Sequence, residues 1–411
     1  MSDTTAGELR RDVQVMGLIG VAHGMSHFYQ QVLPPLFGPM KDTFGVSNLE
    51  LGALMTVSAV ASAVGQMAAG FAVDRYGARR LLVAGLAICG TALSLTSLAQ
   101  AYWHLVLLAV LAGIGNCVFH PADFAILNAS VSNKRMGRAY GMHGLLGTLG
   151  WPAAIFLMFF LSATLGWRQA ALWAGLLGVG MAIVIALTSD LYRDHRAADT
   201  SGVGGAPRRG GAPVNWQVMF SAPILMCLLY FVFVAMTGPS VNAFGPQALG
   251  VLYDVKPEHA AFAIISYYVG SASGVFVGGW LADRATRHDI VAACGLLGAA
   301  AFMGLAAAMI VPLAMVGLIM ACAGFCSGCT GPSRDMIVRK AAPTGASGKI
   351  FGFVYSGLDI GQAIGPLLFG WFMDNGQPRA IFVAGACMFV FATITVLQVR
   401  RLGTAGEPVR A

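Results

Sequence analysis

The chain has 411 residues, of which 57% are hydrophobic and only 10% charged, and its net formal charge is +7. A soluble domain typically carries about 25% charged residues to cover its surface, so this composition excludes an ordinary soluble protein. Apolar runs of about 20 residues, long enough to cross the hydrocarbon core of a bilayer as helices, recur along the whole chain. We therefore predict an all-α integral membrane protein whose first partner is the lipid bilayer.

Twelve apolar runs are candidates for membrane-spanning helices. They begin near Val13, Asn48, Leu81, Trp103, Tyr140, Arg168, Met219, Ala261, Ile290, Leu313, Ile350 and Ala380. Of the 25 basic residues, only Lys41, Arg168, Lys256 and Arg379 fall in loops on the outer side of this topology. Cytoplasmic loops are the ones enriched in Lys and Arg. The pattern predicts a multi-pass protein of the inner membrane with both termini in the cytoplasm, and it explains the positive charge without a nucleic-acid partner.

The first candidate helix is polar on one side. At 100° per residue, His23, His27 and Gln30 share an arc of about 140° with Ser26, Gln31 and Pro34. An ionisable side chain near the middle of the bilayer costs roughly 2.5–3.5 kcal/mol on insertion scales, so these histidines indicate a wet path or a buried pair. The i, i+4 spacing of His23 and His27 also suits zinc, but zinc needs a third and usually a fourth ligand. No acid or cysteine flanks the pair, so we predict no metal and no cofactor.

Two further helices carry polar faces. Asn116, His120 and Asp123 on the fourth stand at i, i+4 and i+7, within about 60° of one another, and Tyr355 and Asp359 share a face of the eleventh. Histidine titrates near physiological pH, and a desolvated carboxyl group shifts toward that range. We predict that these residues, with those of the first helix, line the pathway of substrate and protons. The alternative is that each forms a hydrogen bond that locks two helices together.

The loop after the second helix, "GFAVDRYGARR", has a degenerate echo in "GWLADR" of the second half. Gly77 permits a tight turn, and Asp74 can pair with an Arg or accept hydrogen bonds from a helix N-terminus. We predict a cytoplasmic gate formed by Gly70, Asp74, Arg75, Gly77, Arg79, Arg80, Asp283 and Arg284. A simpler interpretation is that the arginines only hold the loop inside the cell.

The two halves of the chain look duplicated. Pro121 and Pro332 are 211 positions apart, and Asp74 and Asp283 are 209 apart. Between the halves lies a segment rich in Gly, Ala, Pro and Arg that indicates a flexible linker. We predict an N-terminal six-helix bundle over residues 1–191, a cytoplasmic linker over 192–217 and a C-terminal six-helix bundle over 218–411. Repeated bundles of this kind are typical of transporters whose substrate site lies near the midplane.

The loop that begins at Gly70 resembles the signature loop of the major facilitator superfamily, GxxxDRxGR[KR][KR]. More narrowly, "HGMSHFYQQVLPPL" and "GIGNCVFHPADFAILN" resemble the fosmidomycin-resistance branch of that superfamily. The resemblance covers the whole chain and implies twelve transmembrane helices in two six-helix pseudo-repeats. It further implies that the first, fourth, seventh and tenth helices line the cavity, and that Asp74 and Arg75 latch the cytoplasmic side in the outward-facing state.

These observations predict a secondary transporter that moves a small organic solute by alternating access, coupled to protons as an antiporter that performs efflux. Proton-driven uptake of a small metabolite is the alternative. A membrane enzyme that uses His120 and Asp123 as base and orienter is a third hypothesis, but it lacks a nucleophile or a metal set and gives no reason for the duplication. No Lys or Arg lies deep in a predicted cavity helix, and Arg334 lies only near the cytoplasmic mouth, so we expect a neutral, weakly basic or amphipathic solute. We expect no enzyme, and a protein that works as a monomer.

Overall fold

The computed structural model describes residues 2–188, 191, 220–341 and 347–404, and within them the chain is helical and contains no strand. The chain forms two compact units. The first comprises Met1–Val46 and Leu54–Gly205, and the second comprises Ser47–Ala53 and Ala206–Ala411. The predicted linker, residues 192–217, lies outside the described residues, so its extent stays a prediction.

The first unit is an all-helical bundle. Its helices are α1 (Ser2–Gln31), α2 (Phe37–Phe44), α3 (Asn48–Tyr76), α4 (Ala78–Thr96), α5 (Tyr102–Asn116), α6 (Phe119–Ser130), α7 (Met136–Leu165) and α8 (Trp167–Leu187). The start of α3 is counted with the second unit. Single 3₁₀ turns, Pro34–Leu36 and Asn133–Arg135, precede α2 and α7.

The second unit is likewise built from helices. They are α9 (Ala222–Asn242), α10 (Gly245–Tyr253), α11 (Pro257–Arg284), α12 (His288–Ala308), α13 (Leu313–Ala341), α14 (Ser347–Asp374) and α15 (Pro378–Thr404). Each of the twelve predicted spans coincides with a helix or, for the fourth, with the consecutive pair α5 and α6. Among the described residues, nine stretches are long and apolar enough to cross a membrane, while the apolar part of α9 is shorter, Ala222–Gly238. The helical membrane fold is therefore confirmed, whereas the count of twelve spans stays a prediction.

The fourth predicted span is broken in its middle. The helix ends at Asn116 and begins again at Phe119, and the Cys117 N–H still donates to the Gly113 carbonyl at 3.1 Å. Pro121 lies in the first turn of α6, where its missing N–H leaves no intrahelical bond unmade. The backbone of Cys117 and Val118 stays right-handed helical across the break, so one polar face over Asn116, His120 and Asp123 stays a prediction.

Close packing of α1 against α7 depends on glycine. A Cβ at Gly147 would meet the His23 ring at 2.5 Å, and a Cβ at Gly24 would meet the Leu146 carbonyl at 2.9 Å. A Cβ at Gly150 would clash with the Gly24 carbonyl. Small residues let helix backbones approach closely in a membrane. This approach brings the His23 side chain against α7.

The second unit repeats this device between α11 and α13. A Cβ at Gly270, Gly274 or Gly278 would clash with a backbone carbonyl of α13, and one at Gly324 or Gly328 would clash with a carbonyl of α11. Gly328 lies inside the Cys-x-x-Cys sequence, whose two cysteines are free thiols in the structure.

Candidate functional site

Three helices of the first unit each contribute one buried polar side chain to a common point. They are His23 of α1, Asp123 of α6 and His143 of α7, with exposed fractions of 3%, 0% and 4%. The glycine contacts of α1 with α7 bring the two histidines together, and the first turns of α6 direct Asp123 toward them. We call these three residues the His–Asp–His cluster.

One carboxylate oxygen is the centre of the cluster. His143 Nε2 lies 3.1 Å from Asp123 Oδ2 and is hydrogen-bonded to it. His23 Nδ1 lies 3.2 Å from the same oxygen, within ion-pair distance, but does not form a hydrogen bond. The other carboxylate oxygen, Oδ1, is buried and has no hydrogen-bond partner within the described residues. A buried carboxylate with this little hydrogen bonding is costly unless a positive charge or a proton accompanies it.

Two more imidazoles surround the cluster. The His23 ring stacks on His143 with centroids 3.7 Å apart and an interplanar angle of 16°. His27 lies 4.6 Å and His120 lies 5.0 Å from His23, centroid to centroid. His120 is exposed and His27 half-buried, so the cluster is connected to more accessible imidazoles on the same unit.

The cluster also has the composition of a metal site. The three ligand atoms lie within 4.8 Å of one another, so the missing acid that argued against zinc at His23 is supplied by α6. Metal ions, however, bind the lone pair that lies in the plane of an imidazole ring. The two rings are nearly parallel and 3.7 Å apart, so one ion placed between them would lie out of both ring planes. The arrangement suits hydrogen bonding to a shared carboxylate better than metal coordination.

The other predicted residues of the first unit connect α1 to α5. Gln30 Nε2 donates to Asn116 Oδ1 at 3.3 Å, and Asn116 Nδ2 donates to Ser26 Oγ at 2.9 Å. Ser26 is buried whereas Gln30 is exposed. The polar arc of α1 is thus divided: part of it is packed inside the bundle and part of it is open.

Tyr355 and Asp359 belong to the second unit. The Tyr355 hydroxyl donates to Asp335 Oδ1 at 2.8 Å, and Arg334 Nε donates to the same oxygen at 2.9 Å. The Arg334 guanidinium lies 4.7 Å from the centroid of Phe231 and 5.7 Å from that of Tyr355. Asp359 is half-buried.

The predicted gate residues lie at the ends of helices. Gly77, with φ of 92°, forms the turn between α3 and α4, as expected, and its positive φ favours glycine. Gly70 and Asp74 line a shallow cavity together with Pro121. Asp74 and Arg75 are exposed and form no ion pair with each other or with other described residues. The latch therefore stays a prediction.

The remaining gate residues lie at the start of α4 and at the end of α11. Arg79 is half-buried and Arg80 is exposed at the start of α4. In the second unit Asp283 and Arg284 are exposed, and the Arg284 guanidinium lies 4.4 Å from the centroid of the Trp280 ring.

Sequence reasoning missed His143. A histidine inside an apolar span is itself a signal for a polar interior site. Sequence reasoning also placed His120 and Asp123 in one environment. The structure separates them, because His120 is exposed whereas Asp123 is completely buried.

The chain is similar to transporters in sequence and in structure. It is 23% identical over 394 residues to the fosmidomycin resistance protein of Escherichia coli (strain K12), covering 94% of this chain and 93% of that protein. It is 22% identical over 382 residues to the probable L-galactonate transporter of the same organism, covering 86% and 83%.

Among solved structures, the chain matches a bacterial homolog of the human lysosomal transporter Spinster in an inward-facing, unoccupied conformation. The TM-score is 0.78 at 15% sequence identity, and the match covers 98% of this chain and 99% of the other. The family model described as Major Facilitator Superfamily matches residues 19–255 and 240–409. This chain belongs to the major facilitator superfamily.

Proposed function

We propose that the protein is a proton-coupled secondary transporter that exports a small organic solute across the inner membrane by alternating access. Membership of the superfamily supports transport of a small solute, and similarity to a fosmidomycin resistance protein over nearly the whole chain supports efflux. The single observation that carries proton coupling is the His–Asp–His cluster.

The geometry of the cluster suits one exchangeable proton. With one proton on His23 or His143, the imidazolium pairs with the Asp123 carboxylate at 3.1–3.2 Å. A second proton would place two positive rings 3.7 Å apart, a repulsion of about 4 kcal/mol at an effective dielectric constant of 20. Loss of the only proton would leave the completely buried Asp123 carboxylate without a positive partner. Solute binding and proton release can therefore alternate at this site.

The surrounding predicted residues have separate roles in this proposal. His120 and His27 exchange the proton between the buried cluster and water, since they lie within 5.0 Å of His23 and are more accessible. Gln30 and Asn116 present hydrogen-bonding groups to the solute. In the second unit, Tyr355 and Asp359 supply further polar groups to the pathway. The loop containing Asp74 and Arg75 acts as the cytoplasmic gate.

Proton-driven uptake is the second candidate, and a specific observation favours it. Arg334 is held by Asp335 and by two aromatic rings, an arrangement that can bind the carboxylate of an organic acid. Several relatives are named as transporters of organic acids or related compounds, including a 3-(3-hydroxy-phenyl)propionate transporter of Escherichia coli (strain K12), which is 23% identical over 373 residues. Import would couple the same cluster to solute movement in the opposite direction.

The test uses everted membrane vesicles that hold an acid-inside pH gradient. Antibiotics, aromatic acids and weak bases are added one at a time to vesicles containing wild type, Asp123→Asn or Asp359→Asn, with Asp42→Asn as the control because Asp42 is an exposed carboxylate. Collapse of the gradient by one compound, abolished by Asp123→Asn but not by Asp42→Asn, supports antiport through the cluster. No collapse by any compound, together with uptake into intact cells that a protonophore abolishes, would turn the proposal to import.

A further inference from the structure

A series of rings runs along one side of the first unit. We call it the aromatic stripe, and its members are Tyr140, Phe124, His120, His27 and Trp151. Successive centroids lie 5.4 Å apart from Tyr140 to Phe124, 6.3 Å from Phe124 to His120, and 4.4 Å from His27 to Trp151. The ring of His23 connects the two parts, at 5.0 Å from His120 and 4.6 Å from His27.

The stripe extends far enough along the unit to accompany a solute. Tyr140 and Trp151 both belong to α7, and eleven helical residues at 1.5 Å each correspond to about 16 Å. Tyr140 lies in the first turns of α7, next to the basic segment around Arg135 that the charge distribution assigns to the cytoplasm. The stripe therefore runs from the cytoplasmic end of α7 to the middle of that helix.

The stripe does not have the composition of a lipid-facing surface. Phe124 is 39% exposed and Tyr140 is 41% exposed. The polar side chains of His120, Asn128 and Gln30 are exposed on the same helices. Exposed amide and imidazole groups are costly against hydrocarbon, so this side of the unit faces water or a bound solute. Aromatic rings displayed among polar groups are the composition of small-molecule sites.

The chemistry of the stripe restricts what can bind. No Lys or Arg belongs to it, and the Asp123 carboxylate lies 3.2 Å from His23, the ring that connects its two parts. The Tyr140 hydroxyl donates to Asn128 Oδ1 at 2.7 Å, which leaves the Asn128 amide N–H groups exposed at its edge. Such a surface stacks on flat rings and attracts cations through its π faces, but it offers no clamp for an anion.

We propose that the aromatic stripe binds a planar aromatic or heteroaromatic solute that is neutral or positively charged. This inference rests on the proposed function, because it names the substrate class of the same transporter. It adds Phe124, Tyr140 and Trp151 as the residues that determine specificity. The rings of the solute stack on these side chains, and an acceptor on the solute receives a hydrogen bond from the Asn128 amide.

The experiment measures binding to the purified full-length protein in detergent by equilibrium dialysis. Three probes differ by one property each: 2-phenylethylamine, 2-cyclohexylethylamine, which lacks the flat ring, and 3-phenylpropionate, which carries the opposite charge. We expect 2-phenylethylamine to bind at least tenfold more tightly than either of the others. Equal binding of the phenyl and cyclohexyl amines, tighter binding of the carboxylate, or no binding of any probe would overturn the inference.

Substitutions locate the site. We expect Phe124→Leu to weaken binding of 2-phenylethylamine about tenfold, and Tyr140→Leu is a second variant in case the first is unstable. Phe156→Leu is the control. Phe156 lies on α7, as Tyr140 does, and it is 64% exposed but outside the stripe. An effect of Phe156→Leu equal to that of Phe124→Leu would overturn the inference.

Binding in detergent involves no pH gradient, so its outcome separates the two proposals. If 2-phenylethylamine binds through Phe124 but collapses no gradient in vesicles, the aromatic site stands and proton antiport fails. If another class of compound collapses the gradient and none of the three probes binds, antiport stands and the aromatic site fails.

Discussion

Gly147→Ala tests whether the His–Asp–His cluster depends on close packing of α1 against α7. The new methyl group would lie 2.5 Å from His23 Cδ2 and 2.8 Å from His23 Nε2. An ordinary contact needs about 3.4 Å, so the His23 ring must move away from α7 by roughly 3.4 − 2.5, or 0.9 Å. A shift of this size is comparable with the roughly 0.8 Å that separates the 3.2 Å contact of His23 Nδ1 with Asp123 from the limit of about 4 Å for an ion pair.

We expect this change to lower proton-coupled transport by roughly 10- to 100-fold, since a misplacement of about 1 Å at a reacting group commonly has an effect of this size. Gly144→Ala is the matched control. It lies on the same helix, one residue from His143, and an added Cβ there meets nothing within 4 Å.

The assay is gradient collapse in everted vesicles, at equal amounts of each variant in the membrane. The reasoning predicts activity close to wild type for Gly144→Ala and a strong loss for Gly147→Ala. If both variants transport like wild type with the same pH dependence, the contact between His23 and Asp123 does not matter for transport, and the cluster is only a structural contact.

Two further predictions concern stability in detergent. Gly274→Ala, whose Cβ would clash with the Phe325 carbonyl, should lower the free energy of unfolding by about 1–3 kcal/mol, whereas Gly304→Ala, which meets nothing within 4 Å, should leave it unchanged or slightly raised, as measured by thermal unfolding. Burial opposes ionisation of Asp12, but hydrogen bonds from Arg135 and from the Ser132 N–H outweigh it and lower the pKa of that carboxyl. Its stabilising contribution is therefore present above the unfolded pKa of about 3.9 and is lost as the pH falls through the lower folded value. Asp12→Asn should lower the melting temperature at pH 7, and the difference from wild type should shrink below pH 4; a difference that is constant with pH would refute this.

The fold was predictable from the sequence because a membrane imposes a simple rule on composition. Apolar runs of sufficient length must be helices, and the starts predicted near Asn48 and Leu313 coincide with the starts of α3 and α13. The break between Asn116 and Phe119 was not predictable by this rule. The residues around the break are as apolar as those of an unbroken membrane helix, so hydropathy does not reveal it.

The site was predictable only in part, because a helical face gives direction but not depth of burial. The sequence placed His23 and Asp123 on polar faces, and both do reach one point in the structure. It could not show that they share an oxygen with His143, because that contact depends on how closely α1 approaches α7. The glycines that allow the approach, Gly24 and Gly147, are visible in the sequence, but their partners are not.

The predicted duplication relates one charged position in each unit, and the two positions carry opposite charges. Counting 211 positions from Asp123, the spacing that relates Pro121 to Pro332, leads to Arg334. In the first unit this position carries a carboxylate that contacts two imidazoles through one oxygen. In the second it carries a guanidinium beside Phe231 and Tyr355. An inherited helix register can thus keep a charged residue at one place in each bundle while its sign changes. If the first unit handles the proton, the register of the repeat makes Arg334 the matching charged residue of the second unit.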